Sequence, residues 1–147
     1  MPFTQNLAPT FVKQPRRGLA QIANADGSSQ KTVVTAGGNG SKVLSLYATS
    51  TDTSARDVQI AIVRSATTYI LGTVSVPANS GNTNSAPTVD LLQTLASSPQ
   101  LPAGMLPIDN DGQHFLFVES GDTLVVLALT TVTSGKIVSV HSDYGDL

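Results

Sequence analysis

The chain has 147 residues, of which 12% are charged and 40% hydrophobic, and its formal net charge is −2. That balance is too apolar and too weakly charged for a disordered chain, and the length suits one domain burying roughly 70% of the surface its unfolded form exposes. The absence of cysteine removes disulfides, thiolate metal sites and cysteine nucleophiles, so the fold must rest on burial and strand pairing.

Residues 1–17 read as an extended arm. Pro2, Pro9 and Pro15 each remove a backbone donor and push the preceding residue toward extended geometry, which argues against a helix. Phe3, Leu7, Phe11 and Val12 supply apolar anchors that a purely solvated tail would not need. Lys13, Arg16 and Arg17 place three of the eight basic residues within the first twenty positions, where no acid occurs, leaving five basic against ten acidic residues beyond. A basic arm is thus joined to an acidic body. The start of the chain lacks the charged and apolar regions of a secretory signal, and no apolar run reaches membrane-spanning length, so a protein made and kept in a cytoplasm, away from membranes, is expected.

Residues 18–147 read as one β-rich domain. Leu19 to Ala23 and Lys31 to Thr35 flank Asn24-Ala25-Asp26-Gly27-Ser28, whose Asp-Gly step predicts a hairpin. In Val43 to Ala48, alternation predicts Leu44, Leu46 and Ala48 on one face. Thr51 to Ser54 turns the chain, Val58, Ile60 and Ile62 alternate in a further strand, and another runs from about Thr68 to Val76, stopping at Pro77. The Asn- and Ser-rich stretch Ala78 to Pro87 is a loop. Leu91, Leu92 and Leu95 then recur at helical spacing, with Thr88 or Asp90 placed to cap a short helix. Pro99, Pro102 and Pro107 impose an irregular connection. Strands are expected again at His114 to Val118, Leu124 to Val132 and Lys136 to His141. About eight strands and one helix predict an all-β antiparallel sandwich, with a jelly roll as the favoured topology.

Candidate chemistry is sparse. His114 and His141 are the two histidines, and Ser142 and Asp143 follow the second. Neighbours on a strand point to opposite faces, so structural roles are expected for both, with no catalytic residue. Ile108 to Gly112 resembles the opening of a calcium loop but lacks the acidic residue at its twelfth position, which favours a turn and no metal. Gly37 to Lys42 lacks phosphate-loop spacing. No cofactor is expected. There is no tryptophan, so stacking platforms for sugars or single-stranded nucleic acid are scarce. Three arm cations are a small footprint beside the roughly six to ten phosphates a strong duplex binder neutralises, so nucleic acid is disfavoured as a partner. Leu124 to Leu129 places large apolar groups on both strand faces, which calls for cover from the chain itself or from another subunit.

The runs TVVTAGGNGSKVLSLYATSTDTSARDVQIAIV, LGTVSVPANSG and VESGDTLVVLALTTVTSGKIVSV together resemble small β-rich virion proteins of tailed bacteriophages, above all capsid decoration or cement proteins. The likeness is one of texture over most of residues 18–147, and no family motif transfers functional residues. It implies a non-enzymatic protein on the capsid surface, commonly trimeric, that clamps major capsid protein subunits against internal pressure. On that view Phe3, Leu7, Phe11 and Val12 fill grooves in a neighbour while Lys13, Arg16 and Arg17 pair with its acidic groups. The alternatives are a tail, neck or fibre component, or a module that binds a host-surface ligand.

Overall fold

The computed structural model describes residues 12–97 and 106–147. Among them the chain forms β1 (Gln14–Ala23), β2 (Lys31–Thr35), β3 (Ser41–Ser50), β4 (Arg56–Arg64), β5 (Thr67–Val76), β6 (Val89–Asp90), α1 (Leu91–Ser97), β7 (Leu116–Val118), β8 (Thr123–Ala128) and β9 (Ile137–Asp146). These build an all-β sandwich of two antiparallel sheets. One runs β1-β9-β3-β6, with β7 also paired to β3, and the other runs β2-β8-β4-β5. The pairs β1 with β9, β2 with β8, β3 with β7 and β4 with β5 nest inside one another along the chain.

Period-two alternation decides what each strand buries. Ala20 and Ile22 of β1, Val138, Val140 and Tyr144 of β9, Val58 and Ile60 of β4, and Leu124, Val126 and Ala128 of β8 meet in one core. Helix α1 packs against β3 and β5, burying Leu91, Leu92 and Leu95. Its start is fixed by Asp90, whose Oδ1 accepts from the Gln93 amide at 3.0 Å, in keeping with the predicted cap.

Three local expectations are corrected. The first two strands do not form a hairpin, because β1 belongs to one sheet and β2 to the other. Between them Asn24–Asp26 forms a single 3-10 turn, held by Asp26, which accepts from the Ala23 amide at 2.8 Å and pairs with Lys31 at 2.6 Å. The turn chemistry was legible, but it carries the chain between layers. The layers approach so closely that a Cβ on Gly18 would lie 1.9 Å from the Val33 carbonyl oxygen, so only glycine fits there.

Second, Leu44 leaves the predicted face. A bulge between Val43 and Ser45 inserts one residue against β9, which flips the alternation. Val43, Leu46 and Ala48 are buried while Leu44 is 46% exposed. Third, strand limits move. β7 is shorter than the predicted His114–Val118, with His114 only bridging Ile108, and β8 stops at Ala128, where the chain turns away. β9 runs five residues past His141 to Asp146 because it has partners on both sides, β1 and β3.

β8 lies between β2 and β4. Its outward Val125 is nevertheless buried, opposite the buried Ala61 of β4, whereas Leu129, beyond the strand, is 47% exposed. Both faces of this apolar run are therefore covered within the chain over most of its length.

One end of the sandwich is organised around a buried carboxylate. Asp52, fully inaccessible to solvent, accepts from Arg56 Nε at 2.7 Å and from the Thr133 amide at 2.9 Å through Oδ2. Its Oδ1 accepts from the Ser54 amide at 3.0 Å and from Thr133 Oγ1 at 2.8 Å, while its backbone carbonyl accepts from the Asn79 amide at 2.9 Å. Burial alone would raise the carboxyl pKa, but the hydrogen bonds from Arg56, Thr133 and Ser54 outweigh it and hold the group well below the ordinary carboxylate range.

A depressed folded-state pKa means that this stabilisation is complete above the unfolded-state value of about 3.9 and is lost as pH falls from there toward the folded value. Replacing Asp52 by Ala leaves Arg56 partly buried without its counter-charge. The expected cost is about 3–5 kcal/mol in urea unfolding at neutral pH, with the gap between wild type and variant narrowing once the pH drops below about 4.

The β4–β5 hairpin turns on Ser65 and Ala66, both left-handed at φ 49° and 64°. These angles suit a two-residue turn whose twist matches the strands but strain side chains bearing a Cβ. A Ser65→Asn, Ala66→Gly double variant should unfold about 1 kcal/mol harder than wild type in the same assay.

Candidate functional site

The cationic run predicted to leave the body is part of it. Arg16 and Arg17 lie in β1, facing Tyr144 and Asp143 of β9. Arg17 points outward and donates from Nε to Asp143 Oδ1 at 2.9 Å, while Ser45 Oγ reaches the other carboxylate oxygen at 3.3 Å. Arg16, on the opposite face at the rim, donates to Asp146 Oδ2 at 2.6 Å, and Ser41 Oγ donates to Oδ1 at 2.8 Å. The hydrogen bond and charge of Asp143 hold the Arg17 pKa above its ordinary value.

The body therefore begins at Gln14, and the expected arm boundary at residue 17 is corrected. Pro15 does not break this strand because β1 is an edge strand, where a missing donor is tolerated. Within the chain, the acids that pair with Arg16 and Arg17 are Asp146 and Asp143 of β9. Lys13 is tied at its amide to the Asp146 carbonyl at 2.8 Å. Val12 lies over Gly145, where a Cβ would meet Val12 Cγ1 at 1.7 Å. Phe3, Leu7 and Phe11 lie outside the described residues.

The outward face of the β1-β9-β3 sheet carries part of the exposed apolar surface. Leu19, His141 and Tyr47 are directly opposite one another across three strands, and His141 stacks on Tyr47 at 4.9 Å between ring centres and 5° between planes. Leu19, 63% exposed, rims a shallow depression of about 240 Å³ shared with Gln21, Ser139 and His141. Leu44, ejected by the bulge, adds to this face. Phe117 pairs with Lys42 across β7 and β3 and meets Phe115 edge-on, while Lys42 Nζ sits 4.2 Å above the Phe115 ring. The Arg17 charge on this face is matched by Asp143, and Leu19, Leu44 and Phe117 offer a partner exposed apolar area among polar neighbours.

The residues weighed for catalysis do not come together. Ser142 faces the interior, donating from Oγ to the Ser45 carbonyl at 3.0 Å, while His141 is on the outer face. His114 Nδ1 lies 3.2 Å from the Leu106 carbonyl. Asp109 Oδ1 accepts from the amides of Asp111 and Gln113 at 2.9 and 2.8 Å, which makes it a turn acceptor. In the glycine-rich stretch, Gly40 donates to the Gly37 carbonyl at 2.9 Å and Ser41 Oγ accepts from the Gly37 amide at 3.0 Å; this is a turn leading into β3.

A second concavity, about 350 Å³, opens where β7 and its turn into β8 face the tip of the β4–β5 hairpin. Ile62, Leu71, Tyr69 and Phe117 line it beside Arg64, Glu119 and Asp122. Arg64 Nε donates to Asp122 Oδ1 and Oδ2 at 2.8 and 3.1 Å, and Nη2 pairs with Asp122 and, at 2.9 Å, with Glu119. The hydrogen bond from Arg64 holds the Asp122 pKa low against its burial. The signal for this group in the sequence is a pair of acids, Glu119 and Asp122, bracketing a turn, with one arginine, Arg64, beside a hairpin tip. No protein-family model matches the chain, and no curated protein sequence matches it.

The opposite orientation of neighbouring leucines on β3 gives a direct check. Leu44→Ala should change unfolding free energy by less than about 0.5 kcal/mol, whereas Leu46→Ala, which empties a core position, should cost about 2–5 kcal/mol.

Proposed function

We propose that the chain is a non-enzymatic virion structural protein, one that attaches to the outside of a tailed-phage capsid and stabilises contacts between major capsid protein subunits. The observation that carries this reading is the pairing of the local charges within the chain itself. With Arg16 held by Asp146 and Arg17 by Asp143, what remains for a partner is the exposed Lys13 side chain, the exposed Leu19, Leu44 and Phe117 and the uncharged segment 1–11 with Phe3, Leu7 and Phe11. Such surfaces gain from leaving water, at roughly 25 cal/mol per Å² buried, and many symmetric copies turn modest contacts into avidity.

A jelly-roll wrap is the fold-level part of the reading, supported by the nested strand pairs. Homotrimeric assembly and a place on the capsid surface follow from the resemblance in texture. The role of the arginines shifts from gripping a neighbour to pinning the root of the preceding segment against β9. Any grip by that segment is then apolar, with little dependence on salt.

Deletion of residues 1–11, a cut that spares β1 and both ion pairs, tests the reading. The truncated protein should keep its melting temperature yet fail to co-sediment with capsids of the phage whose particles it decorates, while the intact protein pellets with them. Undiminished co-sedimentation of the truncated form would refute the anchoring role, and failure of the intact protein to bind capsids would refute the decoration role.

A further inference from the structure

We propose that the cleft between β7 and the β4–β5 hairpin is a receptor for a basic side chain, an arginine above all, presented by a partner polypeptide. The composition of the cleft points to this occupant independently of the capsid reading. Ile62 and Leu71 are its partly buried apolar residues, and Tyr69 and Phe117 are exposed by 55% and 41%. One guanidinium, Arg64, faces two carboxylates, Asp122 and Glu119.

The two acids differ in what they have left to give. Asp122 is buried and uses both oxygens on Arg64. Glu119 has a side chain 75% exposed and engages Arg64 through Oε2 alone. The group thus carries one surplus negative charge, placed at the rim beside aromatic rings. Aliphatic floor, aromatic wall and a carboxylate that shares its one counter-ion with Asp122 together are the chemistry that recognises a long cationic side chain. The methylene stem covers apolar surface, the planar guanidinium stacks on a ring, and its N–H groups meet the free carboxylate oxygen. A neutral apolar side chain would satisfy the floor and leave the surplus negative charge of the group unanswered. An acidic one would add a like charge.

The test uses the full-length protein and two small probes, Nα-acetyl-arginine methylamide and its norleucine counterpart, followed by NMR. The arginine probe should give saturable shifts centred on Tyr69, Leu71 and Phe117, and the norleucine probe should not saturate. Glu119→Gln, a change at an exposed position that spares the Asp122–Arg64 pair, should weaken arginine binding at least threefold while leaving signals elsewhere unchanged. Equal saturation by norleucine, no saturable shift with arginine, or unaltered affinity in Glu119→Gln would each overturn the assignment. None of these outcomes bears on whether the protein attaches to capsids.

Discussion

The Asp52 carboxylate is the interaction on which one whole end of this sandwich depends. It follows β3 of one sheet, precedes β4 of the other, and receives hydrogen bonds from Thr133, beyond β8, as well as from Arg56. Its own backbone carbonyl holds Asn79, in the turn after β5. Three loops from two layers are thereby fixed to a single residue. A buried charge is tolerable only when each oxygen is matched, and here each accepts two hydrogen bonds. The other end uses a looser version of the same device, Arg64 with Asp122 and Glu119, in which one acid is buried and the other reaches solvent. One end is thus closed by complete satisfaction, and the other stays chemically open.

How far the amino-acid sequence disclosed this arrangement can be judged from particular residues. Alternation located most strands, and Leu91, Leu92 and Leu95 with Asp90 located the helix, because those signals are local. Bulges are not local: nothing in Val43 to Ala48 announces that one residue is extra, since the bulge exists only relative to β9. The same holds for Asp26-Gly27, whose turn-forming chemistry is compatible with a hairpin or a crossover between sheets. The two arginines were noticed for their charge, but their partners lie 130 and 126 residues away, a separation that no spacing rule spans. Asp52 was legible only as a turn residue, because its burial is created by loops from distant parts of the chain.

The candidate surfaces follow from these long-range pairings. By tying Arg16 and Arg17 to β9, the fold converts what looked like a cationic grip into a fixed exit point for the preceding segment. By ejecting Leu44, the β3 bulge moves a large apolar side chain from the core side to the outer face. The apolar contact area and the acidic, aromatic-walled cleft are therefore products of topology as much as of composition.

The nested order of strand pairs also governs how the molecule comes into being. β4 and β5 are neighbours along the chain and can meet early, but β1 waits for β9, more than a hundred residues later. Closing loops of that size before the contacts within them can contribute makes folding intrinsically slow. During synthesis β1 would leave the ribosome long before its partner, so the first sheet is completed only after residues 137–146 have emerged. Until then the inner face of β1, with Ala20 and Ile22, remains unsheltered, and the nascent chain depends on β1 staying unpaired with anything else.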